Sequence, residues 1–168
     1  MRVEVAREVF APRQIVWHLL VDWERQAEWM VDARAVEVET ASRRGVGVRL
    51  KVPTRVLGVT IEDRLEVTGW NEPRRLEVRH IGALVSGQAT FELTPIDHGT
   101  GVVWWEEIEV PLGTVGELAA ALLVRPYLAW VFRRSLDNFA RICRQEAAST
   151  QRAPDGAEGN HGEHPSNR

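Results

Sequence analysis

The sequence predicts an α+β domain: a seven-stranded antiparallel sheet covered on one face by a long C-terminal helix, with two short helices after the first strand. Two observations carry that reading. Between residues 35 and 110, six strand-like stretches follow one another through connections too short to hold crossover helices, so they must pair antiparallel as a meander. Over residues 114–146, Leu118, Leu122, Ala129, Phe132, Leu136, Phe139 and Cys143 recur at steps of three and four, the period of a helix. About thirty residues at 1.5 Å rise span roughly 45 Å, and a stripe of that length needs a broad apolar surface to lie on.

The elements follow in order. Val3, Val5 and Val9 alternate with Glu4 and Glu8 and predict the first strand. Pro12 suits a first helical position, and Ile15, Val16, Leu19 and Leu20 form the apolar face of a short helix. A second short helical piece covers residues 22–30, with Trp23, Trp29 and Met30. Strands are predicted over residues 35–40, 47–52, 59–69, 76–81, 85–94 and 102–110, separated by glycine, proline, asparagine and aspartate at the turns. In the second of these Val46, Val48, Leu50 and Val52 share one face and Arg49 and Lys51 the other, as in a sheet covered on one side only. Pro111 and Gly113 close the last strand, and Thr114 and Glu117 have capping-box spacing. Pro126 removes an amide donor and predicts a kink near Arg125. From Ser149 the chain carries no large apolar residue, so the domain is expected to cover residues 1–148 and a disordered polar tail residues 149–168.

Composition narrows the function classes. With 44 % hydrophobic and 27 % charged residues among 168, one globular domain with a real core is expected. A formal charge of −3 argues against a nucleic-acid partner, which calls for a basic stripe. The single cysteine, Cys143, excludes an intrachain disulfide and lies on the helix stripe, where a buried, inert thiol is expected. The first ten residues alternate charged and apolar side chains instead of forming a signal segment, and no apolar run approaches a membrane span. The expectation is a cytoplasmic protein without stable membrane insertion; its oligomeric state is left open. Neither a Gly-x-Ser-x-Gly elbow, a phosphate-binding loop nor a His-Glu-x-x-His pair is present. Gly45-Val46-Gly47 reads as a turn, and His161 and His164 belong to the tail, so no cofactor and no metal are expected.

What remains is a set of polar residues on apolar strand faces. Asp63 shares parity with Val59, Ile61, Leu65 and Val67; His80 with Leu76 and Val78; Glu106 with Val102, Trp104 and Ile108. If those faces look inward, each must line a cavity or find a buried partner, because an isolated buried charge is costly. A desolvated carboxylate or imidazole of this kind has the chemistry for proton transfer, so His80 and Glu106 are the catalytic candidates should the chain be an enzyme. A structural ion pair or a strand-end position accounts for the same residues without function. Trp104 and Phe91 are expected in a cavity wall, and Trp29 with Met30 at its mouth. Leu118 and Leu122 would face the cavity from the helix, where Ala119, Ala120, Ala121 and Ala129 leave volume unfilled. These, with Asp63, His80 and Glu106, form the candidate ligand site.

Several stretches also carry a family likeness. Ala11-Pro12 leads into Val16-Trp17-His18-Leu19-Leu20-Val21-Asp22 and then Trp29. Residues 87–95, Gly-Gln-Ala-Thr-Phe-Glu-Leu-Thr-Pro, precede Gly99-Thr100, and Pro111-Leu112-Gly113 enters Leu123-Val124-Arg125-Pro126. In this order and spacing the chain resembles the START-like (SRPBCC) helix-grip superfamily over residues 2–146, and within it the polyketide cyclase/dehydrase and lipid-transport-like group. The resemblance implies a curved sheet wrapped around the long helix and enclosing an apolar cavity. The preferred expectation is therefore a module that binds a hydrophobic small molecule (lipid, polyketide or isoprenoid-like) between sheet and helix. A second is an enzyme of polyketide aromatase/cyclase type that uses acid–base residues of the cavity. A third is a protein-interaction module resembling ubiquinone-binding or ribosome-associated members.

Overall fold

The computed structural model describes residues 1–56, 58–82, 85–109, 122 and 124–152. Strand β1 (Arg2–Val9) leads into helix α1 (Arg13–Leu20) and a 3₁₀ segment (Trp23–Glu28). Strands β2 (Glu37–Val38), β3 (Arg49–Val56), β4 (Val59–Asn71), β5 (Arg75–Ile81), β6 (Ser86–Ile96) and β7 (Gly99–Glu109) follow, and helix α2 (Arg125–Arg152) ends the described chain. All seven strands form one antiparallel sheet in the order β1-β7-β6-β5-β4-β3-β2, a meander to which β1 adds beside β7. The predicted strands are all present. Only β2 is much shorter than expected: two residues pair with β3, and an isolated bridge from Ala33 to Thr54 continues the edge. A short edge strand leaves few unpaired backbone groups for another chain to add to.

Alternation works as the sequence predicts, with two local exceptions. Val48, Leu50 and Val52 are buried, but Val46 is exposed, because it lies before β3 in a turn between two glycines of positive φ, Gly45 and Gly47. In β4, a bulge between Val67 and Gly69 inserts one residue against β5 and shifts the parity. The shift turns Trp70 to the inner face, where its ring meets Trp17 edge-on at 5.1 Å and Trp23 at 6.4 Å. The outer face carries cross-strand ion pairs such as Arg75–Glu92 at 2.6 Å and Arg49–Glu66 at 3.3 Å. Exposed pairs of this kind contribute little each.

Helix α2 is 28 residues long and buries Phe132, Leu136, Phe139 and Cys143, four of the seven stripe positions. Arg133, Arg134, Arg141 and Arg144 lie on its solvent side. Leu122, expected in the stripe, is instead exposed, and Leu118 lies outside the described residues. So do the capping-box positions at 114 and 117; Arg125 and Pro126 are described and open α2, with Leu122 and Val124 before them in π-helical conformation. The helix continues through Arg152, past the expected domain end at 148, with Ser149 and Thr150 donating their hydroxyls to the Glu146 carbonyl oxygen. Helix propagation needs no apolar face once the preceding turns exist. Residues 153–168, with His161 and His164, lie outside the described residues.

The backbone of α2 runs closest to β1 and α1, not to the middle of the sheet. Side chains bridge the wider gap. Trp104 stacks on Phe132 of the helix at 4.1 Å and on Phe91 of β6 at 4.9 Å, an aromatic pillar from sheet to helix. Leu136, 1 % exposed, sits one turn further along the same face. Leu136→Asp should therefore abolish cooperative thermal unfolding, because an unpaired charge in the packed core costs roughly 4 kcal/mol or more, against a typical net stability of about 5–15 kcal/mol. Circular-dichroism melts check this, and a sigmoidal transition close to that of the parent would show that the stripe is not the core contact.

Candidate functional site

Beyond the aromatic pillar, the inner face of β3–β7 and the first turns of α2 leave a pocket of about 710 Å³. Its wall is mainly aliphatic, with Val52, Ile61, Leu65 and Val78 from the sheet and Leu128 from the helix. Of the predicted site residues, Asp63, His80, Phe91, Trp104 and Glu106 all line it. Trp29 does not. It is 2 % exposed and packs against Phe139 at 4.8 Å and edge-on to Trp104 at 6.4 Å, so it closes the core behind the pillar; Met30 beside it does reach the pocket. Leu122 is no part of the wall either, since its side chain points to solvent.

The three polar strand residues form one cluster. His80 Nδ1 lies 2.8 Å from Asp63 Oδ2, and Nε2 lies 3.0 Å from Glu106 Oε1. The first contact is an aligned hydrogen bond. In the second the ring N–H points off the line to the oxygen, so it acts as a close charge pair without a well-directed bond. The register explains the meeting. Asp63 on β4 is two residues from Leu65, which pairs with His80 on β5. Glu106 is on β7, two strands from His80, and across one sheet face that is about 9–10 Å of backbone. The strand between presents only Gly87 opposite His80 and Ala89 opposite Glu106. Gly87 has φ +140 and a Cβ there would meet the Glu107 carbonyl oxygen, so no larger residue fits. Two small residues on β6 thus clear the path for the imidazole and carboxylate to touch.

Burial opposes a charge on His80, but the hydrogen bond to Asp63, the contact with Glu106 and the field of both carboxylates outweigh it and raise the imidazole from 6.5 to about 10. At neutral pH the group is an imidazolium between two carboxylates. It is held as a hydrogen-bond donor and acid, not poised as a base.

A fourth ionisable wall residue, Asp32, escaped sequence reasoning. It lies in the loop after the 3₁₀ segment, where strand parity has no meaning. The loop is tightly held: Val31 N–H donates to Ser135 Oγ at 3.0 Å, Asn138 Nδ2 donates to the Trp29 carbonyl oxygen at 3.3 Å, and Arg55 N–H donates to the Asp32 carbonyl oxygen at 2.8 Å. Burial pushes the Asp32 carboxyl up to about 6, and the negative charges of Glu106 and Asp63 add to the rise. The available signal was the run Met30-Val31-Asp32, a lone carboxylate after apolar residues. Cys143 is buried in the helix stripe, and burial pushes its thiol up to about 12, so it is inert as a nucleophile. Among the described residues no cluster has metal-ligating geometry, and no helix is long and apolar enough to cross a membrane.

With the geometry in hand, the sequence profile described as polyketide cyclase / dehydrase and lipid transport matches residues 1–144. The chain belongs to that family. Solved structures agree on the fold of this family member. A Thermus thermophilus protein is 19 % identical, with 88 % of this chain and 99 % of that one covered at a TM-score of 0.76. A START superfamily protein from Mycobacterium smegmatis is 14 % identical over 89 % and 98 %, with a TM-score of 0.65. The Zhui aromatase/cyclase from a Streptomyces species is 20 % identical over 91 % and 96 %, with a TM-score of 0.66. These likenesses establish the START-like helix-grip architecture: a seven-stranded antiparallel sheet with its C-terminal helix. No curated protein matches the chain.

The folded protein holds the His80 proton more tightly than the unfolded chain does. Its contribution to stability is therefore whole below about pH 6.5 and lost as the pH rises through about 10. Imidazole nitrogen shifts in a long-range ¹H–¹⁵N spectrum should show His80 still doubly protonated at pH 8. A neutral ring at that pH would mean that the carboxylate pairs do not hold it.

Proposed function

We propose that the chain binds a hydrophobic small molecule, lipid, polyketide or isoprenoid-like, in the pocket between sheet and α2. One observation carries the reading: about 710 Å³ of space, in the size range of small-molecule sites, has an aliphatic and aromatic wall with one concentrated group of polar side chains. A folded core normally closes on itself at high packing density, and empty volume forfeits dispersion contacts, so space of this size is best understood as kept for an occupant. Family membership supports the same reading, since the profile's description couples cyclase/dehydrase and lipid-transport members. The pillar of Phe91, Trp104 and Phe132 would bound the ligand's apolar body at one end, and Asp63, His80, Glu106 and Asp32 would orient its polar end. Ile61→Trp places an indole into the pocket from a half-buried position on β4. The variant should melt within a few degrees of the parent yet lose at least about tenfold in affinity for a neutral solvatochromic dye. Unchanged dye binding by a folded Ile61→Trp protein would place the dye elsewhere and remove the support for this pocket.

A second reading, favoured by the Asp32 carboxyl and the His80 imidazolium sharing one pocket with widely separated pKa values, is aromatase/cyclase-type chemistry. His80 would donate a proton or hydrogen bond to a carbonyl oxygen as negative charge develops there, and Glu106 would hold His80 in its charged form. A carboxylate such as Asp32 would take the proton from the adjacent carbon, which is what aldol cyclisation and dehydration need. On a poly-β-ketone substrate, His80→Gln and Glu106→Gln should each lower the rate of ring formation by about 10²-fold. Rates within twofold of the parent would exclude both residues from the reaction.

A further inference from the structure

The charge of the pocket wall is lopsided. Among the described residues that line it, none is lysine or arginine. The ionisable side chains are three carboxylates, Asp32, Asp63 and Glu106, and one imidazole, His80. The other cation at the wall is the Met1 amino group, which donates one of its hydrogens to the Ile108 carbonyl oxygen at 2.8 Å. Even with it counted, carboxylates outnumber cations three to two. His80 cannot neutralise the cluster, because its single positive charge is already divided between Asp63 and Glu106. One acceptor is left over in particular: Asp63 has a side chain nine-tenths buried, and its Oδ1 has no hydrogen-bond partner among the described residues. An unmet buried carboxylate oxygen is costly, and a donor brought in by a ligand would relieve it. Among the described residues Asp32 pairs with no cation, and burial first, then the fields of Glu106 and Asp63, raise its carboxyl.

Resting on the reading of the pocket as a binding site, we infer that its occupant is an amphiphile headed by an amine, whose ammonium meets Asp32, Asp63 and Glu106 while its apolar body fills the aliphatic wall. Carboxylate- and phosphate-headed lipids are disfavoured, because they would bring a further negative charge into a desolvated site that already holds a surplus. An ammonium carries up to three donors, enough to meet two carboxylates of the wall together. Neutral amphiphiles with a hydroxyl head rank between the two, since they supply a donor but no charge.

The test uses a neutral solvatochromic dye in the pocket and three competitors of one chain length, dodecylamine, dodecanol and laurate, each below its micelle concentration at pH 7.5. Dodecylamine is expected to displace the dye at a concentration at least about tenfold lower than laurate, with dodecanol between them. Asp32→Asn and Glu106→Gln each remove one negative charge while keeping shape, and each should shrink the amine-to-laurate ratio by about threefold or more. If the dye and dodecanol bind but laurate competes as well as the amine, the charge assignment is overturned while the binding reading stands. A ratio that neither variant changes would overturn it as well, because the preference would then arise outside the pocket. If neither dye nor dodecanol binds, the binding reading falls and the inference with it.

Discussion

The site depends on where the long helix touches the sheet. The backbone of α2 comes nearest to β1 and α1, at one side of a seven-stranded surface, and the wider gap to the middle strands is crossed by side chains. The pillar of Phe91, Trp104 and Phe132 spans that gap at one place and fixes its width. Trp29 and Phe139 support the pillar from behind. Large rigid aromatics suit this duty because they cover distance with few rotatable bonds. Space on the far side of the pillar remains open, and that space is the pocket.

An apolar wall makes the polar cluster expensive, which is why its members come together. Each of Asp63, His80 and Glu106 would be costly in isolation at under a tenth exposed; joined, a carboxylate–imidazolium–carboxylate arrangement keeps every charge beside an opposite one. The pairing relies on backbone detail as much as on the charged residues. Gly87 and Ala89 on β6 leave the face bare between His80 and Glu106, and a larger side chain at either would separate them. Asp32 joins from a loop that Ser135 and Asn138 of α2 hold in place, so the helix supports both the pillar and the third carboxylate.

Strand parity carried most of what was legible in the sequence. It placed Asp63, His80 and Glu106 on one inner face because alternation is a local property of each strand and needs no knowledge of the partner. What parity cannot supply is register: that β6 is bare between β5 and β7, or that the β4 bulge turns Trp70 inward, follows from how strands align. Loops carry no periodic signal, which hid Asp32. Helical periodicity found Phe132, Leu136, Phe139 and Cys143 but extended the same stripe to Leu122, where the regular α2 has not yet begun and the side chain meets water. Trp29 shows the reverse error, for an aromatic beside Met30 reads equally well as pocket mouth and as core plug. The tertiary contact with Phe139, more than a hundred residues away, decided between them.

Sheet, pillar and helix together enclose a pocket with an apolar wall and one charged cluster, and the proposal made for it is that an apolar molecule occupies it. Native mass spectrometry on the protein purified from its own cells, sprayed from gentle, detergent-free conditions, addresses that claim most directly. The account predicts a population carrying one bound organic mass of a few hundred daltons, released by modest collisional activation and absent from the Ile61→Trp variant. A single bare mass from freshly isolated parent protein, unchanged after incubation with hydrophobic extracts of the same cells, would contradict it.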